Sequence, residues 1–427
     1  MPVLRTLDCW PALPIVVQYG GPPAPYPPSP DDEDNIMAAL KQSERVISIC
    51  LIVTTSLLER LSSIERPFSE LEDLVLKPRD GVPLTLPSAF RWGPRLRTLH
   101  LTRAAIPTLP MLLSTSTGLV DLRLHNIPDL GYLPPDALAD ALSRMTHLRS
   151  LSLYFLSSAL HRNYIRVFPQ SEERVVLPAL TYLKYQGTDK YLEDFVARID
   201  APRLGDIVII FFSQPRMEVS ELGRFTSRIR MQKSHCRAAI LSSERAISIT
   251  FTQPEGPTRL ELKISCHSLA RQLSYMSGIC NGLSTFLLGA EHLHIRATRP
   301  TSGQDDSDRE EWLKLIRTFR STNWVHVVGN HSTNVVLALQ ASEMGRETVL
   351  PALYKLCIQG PGPRHAPLQD AVVSLIHSRQ LSGQFIGVEY ERLWTRELRG
   401  TGQRLSNGRF YHALTCLNRT PFSSSHD

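Results

Sequence analysis

LEDLVL (Leu71–Leu76), LRTLHL (Leu96–Leu101), LVDLRL (Leu119–Leu124) and LRSLSL (Leu148–Leu153) share one grammar, Leu-x-x-Leu-x-Leu. They begin 25, 23 and 29 residues apart. That period is the mark of a leucine-rich repeat, in which a short strand and a return segment make one coil. One coil cannot bury its own leucines. Stacked coils can, and the stack leaves a row of strands with one face toward solvent. The pattern predicts an α/β fold: an irregular leucine-rich-repeat solenoid, with a curved, mostly parallel strand row and helices on its convex side.

The register extends in both directions from these four segments. Ahead of them, Val46–Ile49 reads as a degenerate first coil. Behind them, Leu180–Leu183–Tyr185 and Leu204–Ile207–Ile209 continue the pattern with substitutions. Leu192, Phe195, Val196 and Ile199 recur between these two at helical spacing. Asp136 is placed to cap a helix carrying Leu138, Leu142 and Met145. In the middle, about 215–289, a helix is marked by Val219, Leu222 and Phe225. There Ile247-x-Ile249-x-Phe251 and Leu260-x-Leu262-x-Ile264 read as a hairpin rather than two coils. A helix with Leu269, Leu273, Met276 and Cys280 follows. The repeat resumes at Ala290–Leu293–Ile295, and a helix carries Trp312, Ile316 and Phe319. Val325-x-Val327 and Leu353–Leu356–Ile358 are expected as the last two strands. Leu177–Leu180 and Leu350–Leu353 are both Leu-Pro-Ala-Leu and enter their strands alike. Where a regular repeat stacks an asparagine at its ninth position, this chain has Arg79, Ala104, Ile127, Leu156 and Thr188. Without that ladder the coils are expected to be uneven.

Outside the solenoid, residues 1–35 read as an extended segment, Trp10–Gln18, and a proline-rich stretch, Pro22–Pro30, taken as a spacer rather than an SH3 ligand. Asp31–Asp34 complement the start of a helix running to about Gln42. The solenoid is assigned to 36–395 and a polar tail to 396–427.

Hydrophobic residues make up 42% of the 427, and charged ones 21%, enough apolar content for most of the chain to fold. The net charge of +6 comes from 47 basic against 41 acidic side chains. That mild, dispersed excess argues against nucleic acid as the partner. Seven cysteines form no Cys-x-x-Cys element, which fits reduced thiols in a reducing compartment. The first seventeen residues lack the form of a signal peptide, and Val46–Leu58 is too short to span a bilayer. The sequons at Asn330 and Asn418 are therefore expected to stay unglycosylated. A cytoplasmic or nuclear location, no membrane association and a monomeric state are expected.

No phosphate-binding loop or nucleophile elbow is written in the chain, and no catalytic residue, cofactor or metal is expected. His292, His294 and His326 are the most metal-like group, but no second ligand motif accompanies them, so they read as structural or surface histidines. The acidic run from Asp305 to Glu311 lacks the glycine of a calcium loop and reads as a solvated helix start.

The candidate binding face follows from strand alternation. If the leucines point inward, the residues between them point outward. The outward pairs are Asp73/Val75, Thr98/His100, Asp121/Arg123, Ser150/Ser152 and Tyr182/Lys184. Further along the strands stand Lys77, Thr102, His125, Tyr154 and Gln186. Lys77, His100, Arg123, His125, Tyr154, Tyr182 and Lys184 are the candidate protein-binding residues. They make a basic and aromatic surface suited to a protein partner with an acidic patch. Both histidines are expected to add charge as pH falls.

Several longer phrases go beyond repeat grammar: Asp8–Gln18, Asp34–Leu51, Pro67–Leu76, Leu177–Leu204 and Leu288–Ile295. They resemble a fungal family of F-box proteins with C-terminal leucine-rich repeats, over most of the chain from about Asp8 to Leu393. The resemblance implies target selection for a cullin-based ubiquitin ligase. The F-box that docks the ligase adaptor is expected to be absent, so only the target-reading half is implied. The expected function is non-enzymatic protein recognition. The alternatives are a degenerate F-box relative with no ligase role and an enzyme with an unrecognised site.

Overall fold

The computed structural model describes residues 13–19, 29–79, 95–105, 115–156, 174–212, 219–229, 236–253, 258–266, 268–297, 306–329, 331–341, 348–359 and 366–391, with isolated positions between them. Trp10, the PxxP run at Pro22–Pro25, both sequons and the tail lie outside them.

Each Leu-x-x-Leu-x-Leu becomes a strand because its two inner leucines are buried while the residue between them stands on the other face, less buried in β3, β4 and β5 and covered only at Ser152 of β6. In β3 (Asp73–Pro78), β4 (Thr98–Thr102), β5 (Asp121–Ile127) and β6 (Ser150–Phe155), Leu74, Leu99, Leu122 and Leu151 are fully buried. They also sit in direct parallel register: Leu74 faces Leu99, Leu99 faces Leu122, and Leu122 faces Leu151. The row begins earlier, with β1 (Ile15–Tyr19) and β2 (Val46–Val53), both parallel to it. It continues through β8 (Tyr182–Gly187) and β10 (Asp206–Phe211). A separate two-stranded piece, β7 (Val175–Val176) with β9 (Ile199–Asp200), lies outside the row.

The middle departs from a simple stack. β12 (Ala246–Thr252) and β13 (Arg259–Ser265) form the expected antiparallel hairpin. A strand that the sequence reading missed, β11 (Cys236–Ser242), pairs antiparallel with β12. The row runs β10-β13-β12-β11, so the chain passes over two places and then doubles back to fill them. β13 is parallel to β10, and β11 is parallel to β14 (Ala290–Ala297), so only β12 runs against the row. β15 (Trp324–Gly329) and β16 (Lys355–Gln359) follow. They are not the last strands: β17 (Gly387–Glu391) pairs parallel with β16, making a sheet of 15 strands among the described residues.

The helices behind the row are α1 (Pro30–Leu40), α2 (Thr55–Leu61), α3 (Pro135–Leu142), α4 (Asp189–Ala197), α5 (Ser220–Arg228), α6 (Leu269–Gly282), α7 (Ser284–Leu287), α8 (Asp306–Ile316), α9 (Ser332–Ala341) and α10 (Ala366–Leu381). Neighbouring helices pack on one another, α3 on α4, α4 on α5, α8 on α9 and α9 on α10. Helices need about 8–10 Å between axes and strands only about 4.8 Å, so the row bends with its strands on the inside.

α1 carries Asp31, Asp32 and Glu33 in its first turn, as expected; it begins at Pro30, where Ser29 forms a capping box with Asp32, and ends at Leu40, two residues before Gln42. One expected cap needs correction. Asp136 does not cap α3. Pro134 holds the N-cap place and Pro135 the first turn, where its missing N–H costs nothing, and Asp136 only adds charge there. α5 has no capping side chain of its own. The buried Glu193 of α4 does the work from the coil before, accepting from the N–H groups of Glu221 at 2.7 Å and Leu222 at 2.8 Å.

The repeated Leu-Pro-Ala-Leu turns close alike, with Leu180 N–H to Leu177 O at 3.3 Å and Leu353 N–H to Leu350 O at 3.0 Å. Leu350 adopts φ 51°, and buried Arg379 donates to its carbonyl and to that of Val349. The cysteines among the described residues are unbridged. Burial pushes the Cys280 thiol up to about 12.

Leu122→Ala should lower unfolding free energy by about 2–5 kcal/mol in denaturant titration, because it opens a cavity between two coils. An unchanged midpoint would mean Leu122 does not sit between coils. Glu193→Ala should cost about 1–3 kcal/mol by leaving buried N–H groups unpaired. The check is the same titration beside a control Ala substitution at exposed Glu59.

Candidate functional site

The outward residues of the first coils form continuous columns across the row. One column reads Asp73, Thr98, Asp121, Ser150, Tyr182 and Asp206. The next reads Val75, His100, Arg123, Ser152, Lys184 and Val208. In a third, His125 faces Thr102, and Tyr154 faces Gln186. Lys77 stands at the first strand of this block, facing Ile52 of β2. All seven candidate residues therefore lie on one open sheet face.

Their chemistry is less uniformly basic than the sequence alone implies. Asp121 takes a hydrogen bond with His100 Nε2 at 3.1 Å and two from Arg123, at 3.1 Å and 2.7 Å. Burial pushes its carboxyl up, but the bonds from His100 and Arg123 outweigh this and hold it at about 2. Much of the Arg123 charge is therefore committed within the face, although its side chain remains 44% exposed.

His125, Tyr154 and Lys184 form a second group. The His125 and Tyr154 rings meet edge-on with centroids 4.4 Å apart, and Lys184 Nζ lies 5.1 Å above the Tyr154 ring. Burial, then the positive charges of His100, Arg123, Lys184 and Lys77, hold the His125 imidazole down at about 4. This corrects the expectation that His125 adds charge under mildly acidic conditions: its cationic neighbours and its burial keep it neutral. Its Nε2 is buried with no hydrogen-bond partner among the described residues. Burial also pushes the Tyr182 phenol up.

The columns do not stop at β10. Asp206 faces Arg259, Val208 faces Glu261, and Arg259 pairs with Glu261. The sequence reading left these out, because it set the hairpin outside the row. Further along, His294 and His326 face one another with Nδ1 atoms 3.1 Å apart, and Cys357 follows in register. Burial, then His326 and Arg296, lower His294 to about 4. Among the described residues no group of three or more His, Cys, Asp or Glu side chains has the geometry to hold a metal ion. His292 packs edge-on against Trp324, with Lys355 above the same indole at 5.3 Å. No helix among the described residues is long and apolar enough to cross a membrane.

No protein-family profile matches the chain, and no curated protein matches it. Among solved structures, the leucine-rich repeat-containing protein LegL7 from Legionella pneumophila is similar, with 14% sequence identity and a TM-score of 0.30, over 77% of this chain and 90% of that one. At that level of superposition, the fold assignment rests on the strand register.

The depressed histidines give stability a pH dependence. A base whose folded pKa lies below its unfolded value near 6.5 leaves the unfolded state binding more protons in between. Stability should therefore fall as pH drops from about 6.5 to about 4, the window of His125 and His294. Asp121 contributes in the same direction but lower down, where its stabilisation is lost as pH falls from about 3.8 toward about 2. The thermal midpoint should decline across the upper window, and His125→Gln with His294→Gln should flatten the decline. A parallel slope in that variant would assign the effect to other groups.

Proposed function

We propose that this chain is a non-catalytic protein-recognition module and that its open strand face, around His125, Tyr154 and Lys184, binds a protein partner. The observation that carries the reading is the cluster itself: an aromatic ring, a cation above it and a buried imidazole nitrogen lacking a partner, all on adjacent strands. Rigid aromatic and basic anchors suit binding, since little side-chain freedom is lost when a partner arrives. A donor or acceptor from that partner would satisfy His125 Nε2, which costs stability while unmet.

The partner should present an acidic patch. Lys77 is exposed, Lys184 is half-buried above the Tyr154 ring, and Arg123 is paired with Asp121. Asp73 and Asp121 temper the field, which favours a shaped acidic surface over any polyanion.

The resemblance of Asp8–Gln18, Asp34–Leu51 and the other longer phrases to fungal F-box proteins is the ground for a finer reading, in which the bound protein is a target for ubiquitination and this face is the target reader. The alternative is a repeat scaffold of the same ancestry with no ligase role. Co-purification with a cullin-ligase adaptor, with and without an F-box segment fused ahead of the chain, separates the two.

Affinity capture from cell extract with wild type and with Lys77→Glu plus Lys184→Glu tests the face. The double variant should lose its specific partner while its circular dichroism and thermal midpoint stay near wild type. With the purified partner, association should slow as salt rises. Recovery of the same partner by both proteins would remove the strand face as the interface.

A further inference from the structure

A second basic surface lies along the edge of the row where the strands begin. It is a groove of about 960 Å³. Its walls carry Arg95, Arg97, Arg149 and Arg203, against one carboxylate, Glu72, among its lining residues. Arg95 pairs with Glu70. Among the described residues, Arg97, Arg149 and Arg203 have no such partner, and all three are exposed. None of the candidate residues of the strand face lines this groove.

The backbone sets the spacing of the residues that carry these guanidiniums. The parallel ladder extends one residue ahead of the strands: Arg97 N–H to Glu72 O at 2.7 Å, Val120 N–H to Arg97 O at 2.8 Å, Arg149 N–H to Val120 O at 2.8 Å, Thr181 N–H to Arg149 O at 2.9 Å and Gly205 N–H to Thr181 O at 3.1 Å. Arg97 and Arg149 are thus two rungs apart, or about 10 Å. Arg203 stands two residues before Gly205, a further two rungs along. Unpaired cations therefore recur about every 10 Å along a groove floored by Val120, Pro178 and Ala179.

An extended peptide has the matching repeat. In a polyproline-type chain, three residues make one turn and advance about 9.3 Å, so every third side chain returns to the same edge. Carboxylates at that spacing can each meet a guanidinium, the geometry for which arginine is best suited. Nucleic acid fits less well, because among the described residues lining the groove there is no Phe, Tyr or Trp, and His147 alone offers a ring to stack on a base. We propose that this rim groove binds an extended acidic peptide segment, laid across the starts of the strands with its acids about three residues apart.

The test is fluorescence anisotropy of the full chain with a fluorescein-labelled peptide of Glu-Ala-Pro repeats. A Gln-Ala-Pro peptide of equal length and a labelled oligouridine serve as comparisons. The Glu peptide should bind with salt-sensitive affinity and the Gln peptide should not. Arg97→Gln with Arg149→Gln and Arg203→Gln should weaken binding roughly tenfold or more without changing the thermal midpoint, since these side chains are exposed. Lys77→Glu with Lys184→Glu should leave it unchanged. The proposal is overturned by tighter binding of the oligouridine, by equal binding of the Gln peptide, by an unaffected triple variant, or by no binding of the Glu peptide. Loss of binding in the Lys77/Lys184 variant alone would move the anion site to the strand face, and the rim proposal would again fall.

Discussion

The structure depends on one constraint: a coil's leucines are buried only by the coils above and below it. Leu99 has Leu74 on one side and Leu122 on the other, and each is fully buried. Much apolar contact is therefore made between residues more than twenty positions apart, through a register that holds from Leu74 to Leu151 and shifts only locally, as after Leu124. The face opposite the leucines inherits that register at no further cost. A side chain placed between two leucines is aligned with its counterparts on every neighbouring strand, whatever its identity. The scaffold in this way turns a pattern of hydrophobic residues into a ruled surface for polar ones.

The leucine period made β3 to β6 and their outward columns readable, since two-residue alternation and a repeat near 25 residues leave little choice of pairing. What escaped had no such period. β11 carries Arg237, Ala239 and Leu241 on one side and Cys236, Ala238 and Ile240 on the other, a weak contrast that does not announce a strand. β17, Gly387–Glu391, has none of the leucines. The residues that begin each strand, Arg97 and Arg149 among them, precede the part of the motif that alternates, and so were given no role. The pairing of His100 and Arg123 onto Asp121 was illegible for another reason. It depends on which neighbouring side chain reaches which, and alternation gives only the side of the sheet.

Charge on the strand face is arranged rather than summed. Arg123, Lys184 and three aspartates, Asp73, Asp121 and Asp206, lie within two columns, and their mutual contacts decide which remain available. The cost of burial, added to by the nearby cations, appears in His125, which stays neutral where an isolated imidazole would titrate. The face thus presents a neutral, partly unsatisfied ring between charged neighbours, a mixture of features that a partner must match in shape as well as in sign.

The doubled-back hairpin in the middle has a consequence for how the chain is made. Up to β10, every new strand finds its neighbour already present, so coils can add to the growing stack as they leave the ribosome. The far edge of β10 cannot be covered by the next strand synthesised, because its partner is β13, some fifty residues later. Until then a bare parallel edge, Asp206–Phe211, faces the cell with its amides and carbonyls open to any passing strand. That pause divides assembly of the row into two stages, one before and one after the hairpin closes over β10.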